Sequence, residues 1–446
     1  MKATQWPSMA GPGGGVQTAE CIIVGAGLAG LACGRTLATA GRRVQMLEAA
    51  SQPGGRVATD LVDGFQVDRG FQVYLDAYPE GRRFLDHRAL QLGCFEPGAL
   101  VASGGRLLPV SDPWRRPLAA IRSVLSGTVG VADGLRTARL RSEMIRSVRQ
   151  GRVDPTVVAP GDERSTRSAL ESRGFSADFI QLFFEPFFGG VFLERELATA
   201  ETVFGFTFAM FSLGRACLPA GGMAAIPRQL ASGLPAGSLE LSTPVERIEP
   251  DPAGGGELFL ADGRRMAARM IVVATDAVTA ANLLPAEADG SWQPPAFKAT
   301  TLVAFAADGQ PACGRTLIVS AEPAAAGPID NLTVPSAVAA GYAPAGQSLI
   351  YASVRGDWPG AAADLPAAIQ QQAAGWLGAE VNGWRQLATV AVPRALPVET
   401  PAVRRTRPVS GQLGPGLFLC GDHLTTSSIN GALAAGRRVA ETLLAS

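Results

Sequence analysis

The sequence predicts an α/β protein in which one domain is interleaved with a second. Three observations support this prediction. Residues 19–50 follow a complete β-α-β pattern, residues 416–440 resemble a buried strand followed by a helix, and residues 112–215 between them are largely helical. A length of 446 residues is sufficient for two or three domains.

Composition argues against several classes of protein. The 39 Lys and Arg residues balance 39 Asp and Glu residues, so we expect no nucleic-acid partner. Six scattered cysteines and only two histidines argue against a metal site, and we expect none. We interpret the cysteines as small buried residues in a reducing compartment. Residues 1–19 lack a signal-peptide core, and no apolar run reaches the ~20 residues of a membrane span, which predicts a cytoplasmic protein.

The β-α-β pattern contains a glycine-rich turn and ends in an acidic residue. After the first strand come Gly25, Gly27 and Gly30 in GxGxxG spacing, and the second strand finishes at Glu48. Gly25 permits a tight turn, Gly27 lets a pyrophosphate approach the helix N-terminus, and Gly30 allows close helix–strand packing. Glu48 suits the ribose hydroxyls of an unphosphorylated dinucleotide. The pattern therefore predicts a dinucleotide site.

A second glycine pair and an arginine follow at once in "SQPGGRVAT". Gly54, Gly55 and Arg56 place flexible backbone and a fixed cation beside the same site, where an arginine neutralises a pyrophosphate with directed donors. The succession GxGxxG, Glu and GGR resembles the FAD-binding entry of the flavin amine oxidase, protoporphyrinogen oxidase and phytoene desaturase superfamily. This resemblance implies FAD as the cofactor.

The resemblance also implies a domain organisation. It predicts a Rossmann-like FAD-binding domain interleaved with a substrate domain that combines a mixed β-sheet and a helical subdomain. The predicted segments are a disordered tail at 1–19, an FAD-binding domain at 20–80, 218–290 and 405–446, and a substrate domain at 81–217 and 291–404 with its helical part at about 112–215.

Further cofactor contacts are implied by position in the family's motifs. A turn of the form Asp-x-Gly begins at Asp68 and would pass close to the flavin, although an ordinary hairpin is the alternative. A Thr275-Asp276 pair replaces the family's common Thr-Pro. The implied contacts are Leu28, Ala29, Ala49, Gly70, Phe71, Gln72, Val245, Thr275, Gly421, Asp422, Ile429, Asn430, Gly431 and Ala432.

The stretch "GLFLCGDHLTTSSINGALAAGRRVA" near the C-terminus admits two interpretations. Asp422 and His423 have the chemistry of an acid/base pair. The resemblance instead implies that Asp422 contacts the ribityl or phosphate region. It also implies that a helix beginning after Asn430 presents its positive dipole end to the electron-rich edge of the flavin. We favour the second interpretation and expect Cys420 to be buried and not linked to the cofactor.

The resemblance implies an oxidoreductase that removes a hydride from a C–H bond. Because the sequence holds no second GxGxxG in a convincing context, we expect electrons to pass to O2, a quinone or another acceptor. The flavin carries this chemistry, so no catalytic triad is needed, and the catalytic residues are unknown. The weak candidates are Lys298, Tyr74 and His423.

Three kinds of function stay open. "SSINGA" has no aromatic residue before Gly431, unlike most amine oxidases, and "EPFFGGVF" and "LPAGGMAAIPRQLA" resemble the phytoene desaturase and protoporphyrinogen oxidase branch. These features favour a hydrophobic, unsaturated or tetrapyrrole-like substrate. The alternatives are an amine oxidase that produces H2O2 and a non-redox flavin-dependent isomerase or binding protein.

Residues 114–150 are helical in pattern and rich in arginine. A basic amphipathic face of this kind suits an anionic membrane surface. The alternative is that these residues form the solvent-exposed face of a helical subdomain. We therefore expect a cytoplasmic protein. If the first alternative holds, we expect it also to contact a membrane surface peripherally.

Overall fold

The computed structural model describes residues 16–118, 129–154, 163–285, 292–356, 358, 360–407 and 411–445. Most of the predicted tail and two parts of the predicted helical region therefore lie outside the described residues. The last residues assigned to the tail belong to a strand that begins at Gln17. Within the described residues, no helix combines the length and the apolar character that crossing a membrane requires.

The strands are, in chain order, β1 Gln17–Val24, β2 Val44–Leu47, β3 Thr59–Val62, β4 Phe65–Asp68, β5 Tyr74–Leu75, β6 Gly93–Cys94, β7 Gly98–Ser103, β8 Arg106–Ser111, β9 Ala216–Leu218, β10 Leu239–Glu240, β11 Val245–Pro250, β12 Gly256–Leu260, β13 Arg265–Val273, β14 Phe297–Asp308, β15 Ile318–Ser320, β16 Asn331–Thr333, β17 Gln347–Arg355, β18 Arg385–Pro397, β19 Gln412–Gly414 and β20 Leu417–Leu419.

The helices are α1 Leu28–Thr39, α2 Pro79–Phe84, α3 Val131–Arg149, α4 Thr166–Ser172, α5 Ala177–Phe179, α6 Glu185–Phe192, α7 Glu201–Leu213, α8 Ala225–Ser232, α9 Ala277–Leu283, α10 Pro335–Val338, α11 Leu365–Leu377, α12 Pro401–Arg405 and α13 Ile429–Ala445. A π-helical turn, Ile180–Phe184, joins α5 to α6, and short 3₁₀ turns include Asp422–Leu424. Of the helix that the sequence predicts from residue 114, Asp112–Arg116 form a turn, residues 117 and 118 are helical, and residues 119–128 lie outside the described residues. Helix α3 then begins at Val131.

The described residues group into two compact units. Unit 1 comprises those of Met1–Gly55, Pro227–Pro294 and Arg407–Ser446, and unit 2 those of Arg56–Ile226 and Pro295–Thr406. The two units alternate along the chain, and the first boundary falls at Gly55, whereas the predicted FAD-binding segment continues to residue 80.

The physical reason for that difference is the β3–β4 hairpin. Its Asp68 accepts a hydrogen bond from the Met223 N–H at 3.0 Å and donates its own N–H to Tyr351 Oη at 2.7 Å. Both partners belong to unit 2, so these contacts hold residues 56–80 in that unit.

Unit 1 is built on one sheet with the strand order β10-β2-β1-β13-β12-β11. Strand β20 also pairs with β13, on the edge opposite β1. Strand β1 runs parallel to both β2 and β13, as a β-α-β unit requires. Its apolar residues Ile22 and Val24 lie in the core of the unit with Ile271 and Val273 of β13. The parallel strands therefore direct their carboxyl ends to one edge of the sheet, where ligands of α/β folds bind.

Unit 2 is built on a seven-stranded sheet with the order β18-β14-β17-β16-β15-β7-β8. One face of its central strands forms an apolar core with α11, through residues such as Phe305, Ile350, Leu332 and Ile369. A second, three-stranded sheet has the order β5-β9-β6. Phenylalanines of the helical part pack on one another, as in Phe188 against Phe204 with ring centroids 4.8 Å apart, so most of them serve as core.

Two of the six cysteines correct the sequence-based interpretation. Cys94 and Cys217 are direct cross-strand partners of β6 and β9 and form a disulfide. The prediction that all six are reduced is therefore wrong for this pair. The four free cysteines, Cys21, Cys33, Cys313 and Cys420, are buried as predicted.

Candidate cofactor and substrate sites

The three glycines of the GxGxxG turn have different surroundings in unit 1. Gly25 has a φ of +101°, and an added Cβ would lie 2.9 Å from the Ala274 carbonyl oxygen. A Cβ at Gly30 would collide with the Gly25 carbonyl oxygen, whereas a Cβ at Gly27 would meet no atom within 4 Å. Gly25 and Gly30 are therefore required by the fold itself, and Gly27 leaves open space at the start of α1.

That open space is lined by backbone donors. Gly27 precedes the first residue of α1, and the first intrahelical bond runs from the Leu31 N–H to the Gly27 carbonyl at 2.9 Å. The N–H groups of Leu28, Ala29 and Gly30 precede that bond in the helix and have no partner within it. With the helix dipole, they favour an anion at this end, so the site fits the pyrophosphate of a dinucleotide.

The second glycine pair lies beside the first turn. Gly54 forms a parallel bridge with Gly27, and its N–H donates to the Ala26 carbonyl at 2.9 Å. Gly54 and Gly55 both have positive φ, +134° and +59°, which only glycine adopts without strain. The two glycine-rich segments therefore meet within unit 1, as their predicted common role requires.

Glu48 follows β2 and faces the same turn. Its carboxylate accepts hydrogen bonds from the Ala26 N–H at 2.6 Å and from the Ala50 N–H at 2.9 Å. The adjacent Ala49 is exposed. Since a carboxylate has about four acceptor positions, Glu48 can hold the turn and still accept ribose hydroxyls.

The C-terminal stretch reaches the same part of unit 1. Its helix α13 begins at Ile429, so the predicted start after Asn430 is wrong by two residues. Ser428 caps the helix by accepting the Gly431 N–H at 2.9 Å, and a Cβ at Gly431 would collide with the Thr426 carbonyl oxygen. Gly431 is therefore required by its own turn. Of the predicted contacts here, Asn430 is buried, while Ile429 and Ala432 are half-buried.

Helices α1 and α13 pack against each other at a glycine. A Cβ at Gly436 would collide with the Ala29 carbonyl oxygen, so only glycine allows this close approach. This contact joins the fingerprint helix to a stretch almost 400 residues later, which the sequence alone connects only through resemblance. The first turns of both helices lie in unit 1.

Asp422 and His423 are buried in the 3₁₀ turn between β20 and α13. The His423 ring lies 5.8 Å from that of Trp292, and a Cβ at Gly421 would collide with the imidazole. Cys420 is also fully buried, and burial raises the pKa of its thiol to about 12. Such a thiol is a poor nucleophile, which agrees with the expectation that it is not linked to a cofactor.

Two further predicted contacts lie at strand ends of unit 1. Val245 opens β11 and is half-buried. Thr275 follows β13, and the next residue, Asp276, caps α9 by accepting the N–H groups of Val278 and Thr279. This capping role explains why an aspartate stands where the family commonly has a proline.

The remaining predicted contacts belong to unit 2. Arg56 donates to the Ala395 carbonyl of β18 at 2.9 Å, and Gln72 donates to the Arg56 carbonyl at 2.8 Å. Gly70 has a φ of +91°, and its added Cβ would lie 3.4 Å from Val392 of β18. Phe71 packs edge-on against Phe95. The turn from Gly70 to Gln72 is therefore seated against β18 within its own unit.

Asp68 organises this region to a degree that the sequence does not reveal. Its carboxylate is buried and accepts hydrogen bonds from Thr59 Oγ1 at 2.5 Å, from Tyr342 Oη at 2.7 Å and from the Met223 N–H. Burial raises the pKa of Asp68 to about 6, against the effect of these donors. The partners lie up to 274 positions away in the chain, so no local pattern could have indicated them.

The three weak catalytic candidates have different surroundings. In unit 2, Lys298 Nζ donates to Glu194 Oε2 at 2.6 Å and to the Phe192 carbonyl at 2.9 Å. Tyr74 is buried, and its hydroxyl lies 2.8 Å from His87 Nε2. Burial raises the pKa of Tyr74 well above its usual value and lowers the pKa of His87. The third candidate, His423, lies in unit 1.

The comparison with family models agrees with this geometry. The model for flavin-containing amine oxidoreductases matches residues 28–444. Among curated proteins, a coproporphyrinogen III oxidase from Propionibacterium freudenreichii subsp. freudenreichii is 29% identical over 114 residues. That match spans 24% of this chain and 22% of the relative, so the chain is aligned with about a fifth of that protein's length.

Solved structures show the same fold. Putrescine oxidase bound to putrescine has a TM-score of 0.71 and 16% identity, covering 97% of this chain and 100% of its own. A protein provisionally named protoporphyrinogen oxidase, from Exiguobacterium sp. 255-15, has a TM-score of 0.70, 18% identity and coverage of 96% and 99%. Reduced UDP-galactopyranose mutase has a TM-score of 0.69, 14% identity and coverage of 96% of each chain.

Proposed function

The chain belongs to the family of flavin-containing amine oxidoreductases, and we propose that it oxidises a hydrophobic substrate without an ammonium group, with FAD as its cofactor. It is a flavin-dependent oxidoreductase; the dinucleotide form of the flavin, the substrate and the electron acceptor are parts of the proposal. Electrons would leave to O2, a quinone or another small acceptor.

In unit 1, FAD would be held by the first turn of α1, by Glu48 and by the turn that leads into α13. The open space at Gly27 supports the pyrophosphate position, because a side chain there would meet nothing in the protein. When bound, the flavin supplies a ring system that accepts a hydride from a C–H bond. The protein's part is to hold the cofactor and to orient the substrate. The predicted contacts Arg56 and Gly70–Gln72 in unit 2 stay predictions.

The preference for a substrate without an ammonium group rests on one observation in unit 2. Each carboxylate that is buried among its described residues already has a partner. Glu194 pairs with Lys298, Asp330 with Arg355, and Asp133 with Arg136. Asp68 accepts three hydrogen bonds, and Glu399 is also engaged. An ammonium group buried there would find no uncommitted negative charge, which is costly.

An anaerobic titration tests this proposal. Purified protein loaded with FAD is mixed, without oxygen, with coproporphyrinogen III, with phytoene or with putrescine, and flavin absorbance is followed. We expect bleaching with phytoene or with coproporphyrinogen III, neither of which carries an ammonium group, and none with putrescine. Bleaching by putrescine, with peroxide on admission of air, would show an amine oxidase instead. Conversion of substrate without net oxidation would show an isomerase.

We also propose a peripheral membrane contact through α3. The side of α3 that faces solvent begins with Val131 and Leu135, which are 66% and 68% exposed, and continues with the exposed arginines Arg139, Arg146 and Arg149. Apolar residues that enter the interface and cations that face anionic headgroups suit a membrane surface. Co-sedimentation with vesicles containing phosphatidylglycerol tests this. Binding should fall several-fold in Leu135→Gln and in high salt, and unchanged binding in both would refute it.

A further inference from the structure

One face of the seven-stranded sheet in unit 2 carries buried polar groups that the described residues leave unsatisfied. Asn331 and Ser353 are cross-strand partners of β16 and β17, and Thr333 lies two residues beyond Asn331. Cross-strand partners and alternate residues of a strand share one face of a sheet. Asn331 Oδ1, Ser353 Oγ and Thr333 Oγ1 are buried and have no hydrogen-bond partner among the described residues. We refer to these three residues as the polar patch.

The polar patch is not part of the apolar core. The alternate residues of the same strands, Leu332, Ala352 and Val354, lie in the core on the opposite face. On the patch side, the cross-strand partners of β17 residues on β14 are apolar, namely Leu302 opposite Ser353 and Ala304 opposite Tyr351. The three polar side chains are therefore grouped beside apolar residues of β14. Buried groups of this kind are bonded in most proteins, so these need an explanation.

The polar patch lies between a helix and a strand of unit 2. A Cβ at Gly190 of α6 would lie 3.7 Å from Asn331 Nδ2, so the helix backbone approaches one end of the patch. Tyr351, the cross-strand partner of Thr333, donates its hydroxyl to the Gln66 carbonyl and accepts the Asp68 N–H. Asp68 leads directly to the turn at Gly70. The patch thus lies between α6 and the strand that carries this turn.

Charge decides what kind of group the polar patch can bind. Arg355 lies two residues beyond Ser353 on β17, and its guanidinium pairs with Asp330. Lys298 pairs with Glu194, whose carbonyl accepts a bond from Arg355. These buried cations and anions balance, so an ion bound at the patch would be uncompensated. A neutral group suits it, with an N–H or O–H to donate to Asn331 Oδ1.

We propose that the polar patch binds a neutral N–H- or O–H-bearing group of the substrate, such as a pyrrole N–H, and so determines specificity. This inference rests on the proposed function and narrows its substrate class. A pure hydrocarbon would leave the three oxygens unpaired, whereas a tetrapyrrole would satisfy them. A site built to hydrogen-bond its substrate discriminates strongly against an analogue that lacks the group.

Matched substitutions in the FAD-loaded protein test the proposal. Thr333→Val and Ser353→Ala each remove an unpartnered hydroxyl. Thr166→Val is the control, because Thr166 is equally buried and its hydroxyl donates to the Thr199 carbonyl at 2.7 Å. The probe is coproporphyrin III, whose binding is followed by fluorescence anisotropy with no turnover required. Urea unfolding is measured in parallel.

We expect Thr333→Val and Ser353→Ala each to weaken porphyrin binding by about 3- to 10-fold without lowering the unfolding midpoint, because each removes one ligand hydrogen bond. The control should lower the midpoint and leave binding unchanged. Lower midpoints with unchanged affinity in the two patch variants would mean that the hydroxyls serve the protein interior, and would overturn the proposal. Failure of the wild type to bind porphyrin, or equal binding of phytoene, would also overturn it.

The two proposals fail in different ways. If porphyrin binds through the patch but porphyrinogen never bleaches the flavin, the proposed oxidation is wrong and the patch stands. If porphyrinogen bleaches the flavin with the same dependence on concentration in all variants, the oxidation stands and the patch assignment is wrong.

Discussion

The cofactor turn of unit 1 and the polar patch of unit 2 are built on different principles. The turn offers backbone N–H groups around Gly27, and its shape depends on the absence of side chains at Gly25 and Gly30. The patch offers side-chain oxygens of Asn331, Thr333 and Ser353, and its shape depends on the pairing of β16 with β17. A site made of backbone is local in sequence. A site made of side chains on paired strands is not.

This difference has consequences for stability as well. Gly25, Gly27, Gly30, Glu48 and Gly54, which shape the turn, are close in sequence, and only Ala274 and α13 among the contacts described above come from distant positions. The long-range bonds of unit 2 join positions 68 and 342, 94 and 217, and 194 and 298. Removing any of these bonds should therefore lower the stability of unit 2. A substitution at Gly27 should instead change the affinity for the cofactor and leave stability unchanged.

The largest effect is expected from Lys298→Met. This substitution leaves the buried Glu194 carboxylate without its cation. Leaving a buried charge unpaired in this way typically lowers the free energy of unfolding by about 3–5 kcal/mol. Urea unfolding should show this loss, and the double variant with Glu194→Gln should recover most of it. If Lys298 instead acts in catalysis, the double variant will be stable and will still fail to bleach the flavin.

Loss of the disulfide should have the next largest effect. Replacing both Cys94 and Cys217 by serine removes a link between residues 123 positions apart, which should lower the free energy of unfolding by about 2–4 kcal/mol. Thiol titration of the unfolded wild type without reductant should find four thiols rather than six. Six thiols would mean that the pair is reduced in the purified protein.

Asp68 should make stability depend on pH. Its folded pKa of about 6 lies above the ordinary value of 3.8, so the folded state binds this proton more tightly than the unfolded state does. Stability should fall as pH rises from about 4 to about 6, by up to about 3 kcal/mol, and then level off. Asp68→Asn should lack this component. Parallel curves of unfolding free energy against pH for the two proteins would contradict the assignment.

Sequence reasoning was most successful where structure is local. The GxGxxG turn and Glu48 follow the two strands of the predicted β-α-β unit, and Gly54 lies beside Gly27. The α13 start was missed by two residues because Ser428, not Asn430, provides the cap. The first domain boundary was missed because the partners of Asp68 are distant in sequence. The disulfide and the polar patch were missed for the same reason, since both require knowing which strands pair.

The Gly431 position shows how structure changes the choice of experiment. Because the resemblance implies that Gly431 contacts the cofactor, a bulky residue there would be expected to displace the flavin. In the structure, its Cβ would already collide with the Thr426 carbonyl oxygen, so a loss of flavin would not separate a cofactor contact from a folding defect. A substitution at Gly27 can separate the two effects, because an added Cβ there would meet no protein atom within 4 Å.

The most direct test of the cofactor assignment is the FAD affinity of Gly27→Ala. Gly27 has an ordinary φ of −69° and open space around an added Cβ, so the variant should fold as stably as the wild type. We expect FAD to bind about 10- to 100-fold more weakly, since the methyl group would occupy the space predicted for the pyrophosphate. Gly375→Ala is the control, because this exposed glycine in α11 also has open space. Unchanged FAD affinity in Gly27→Ala would contradict the account.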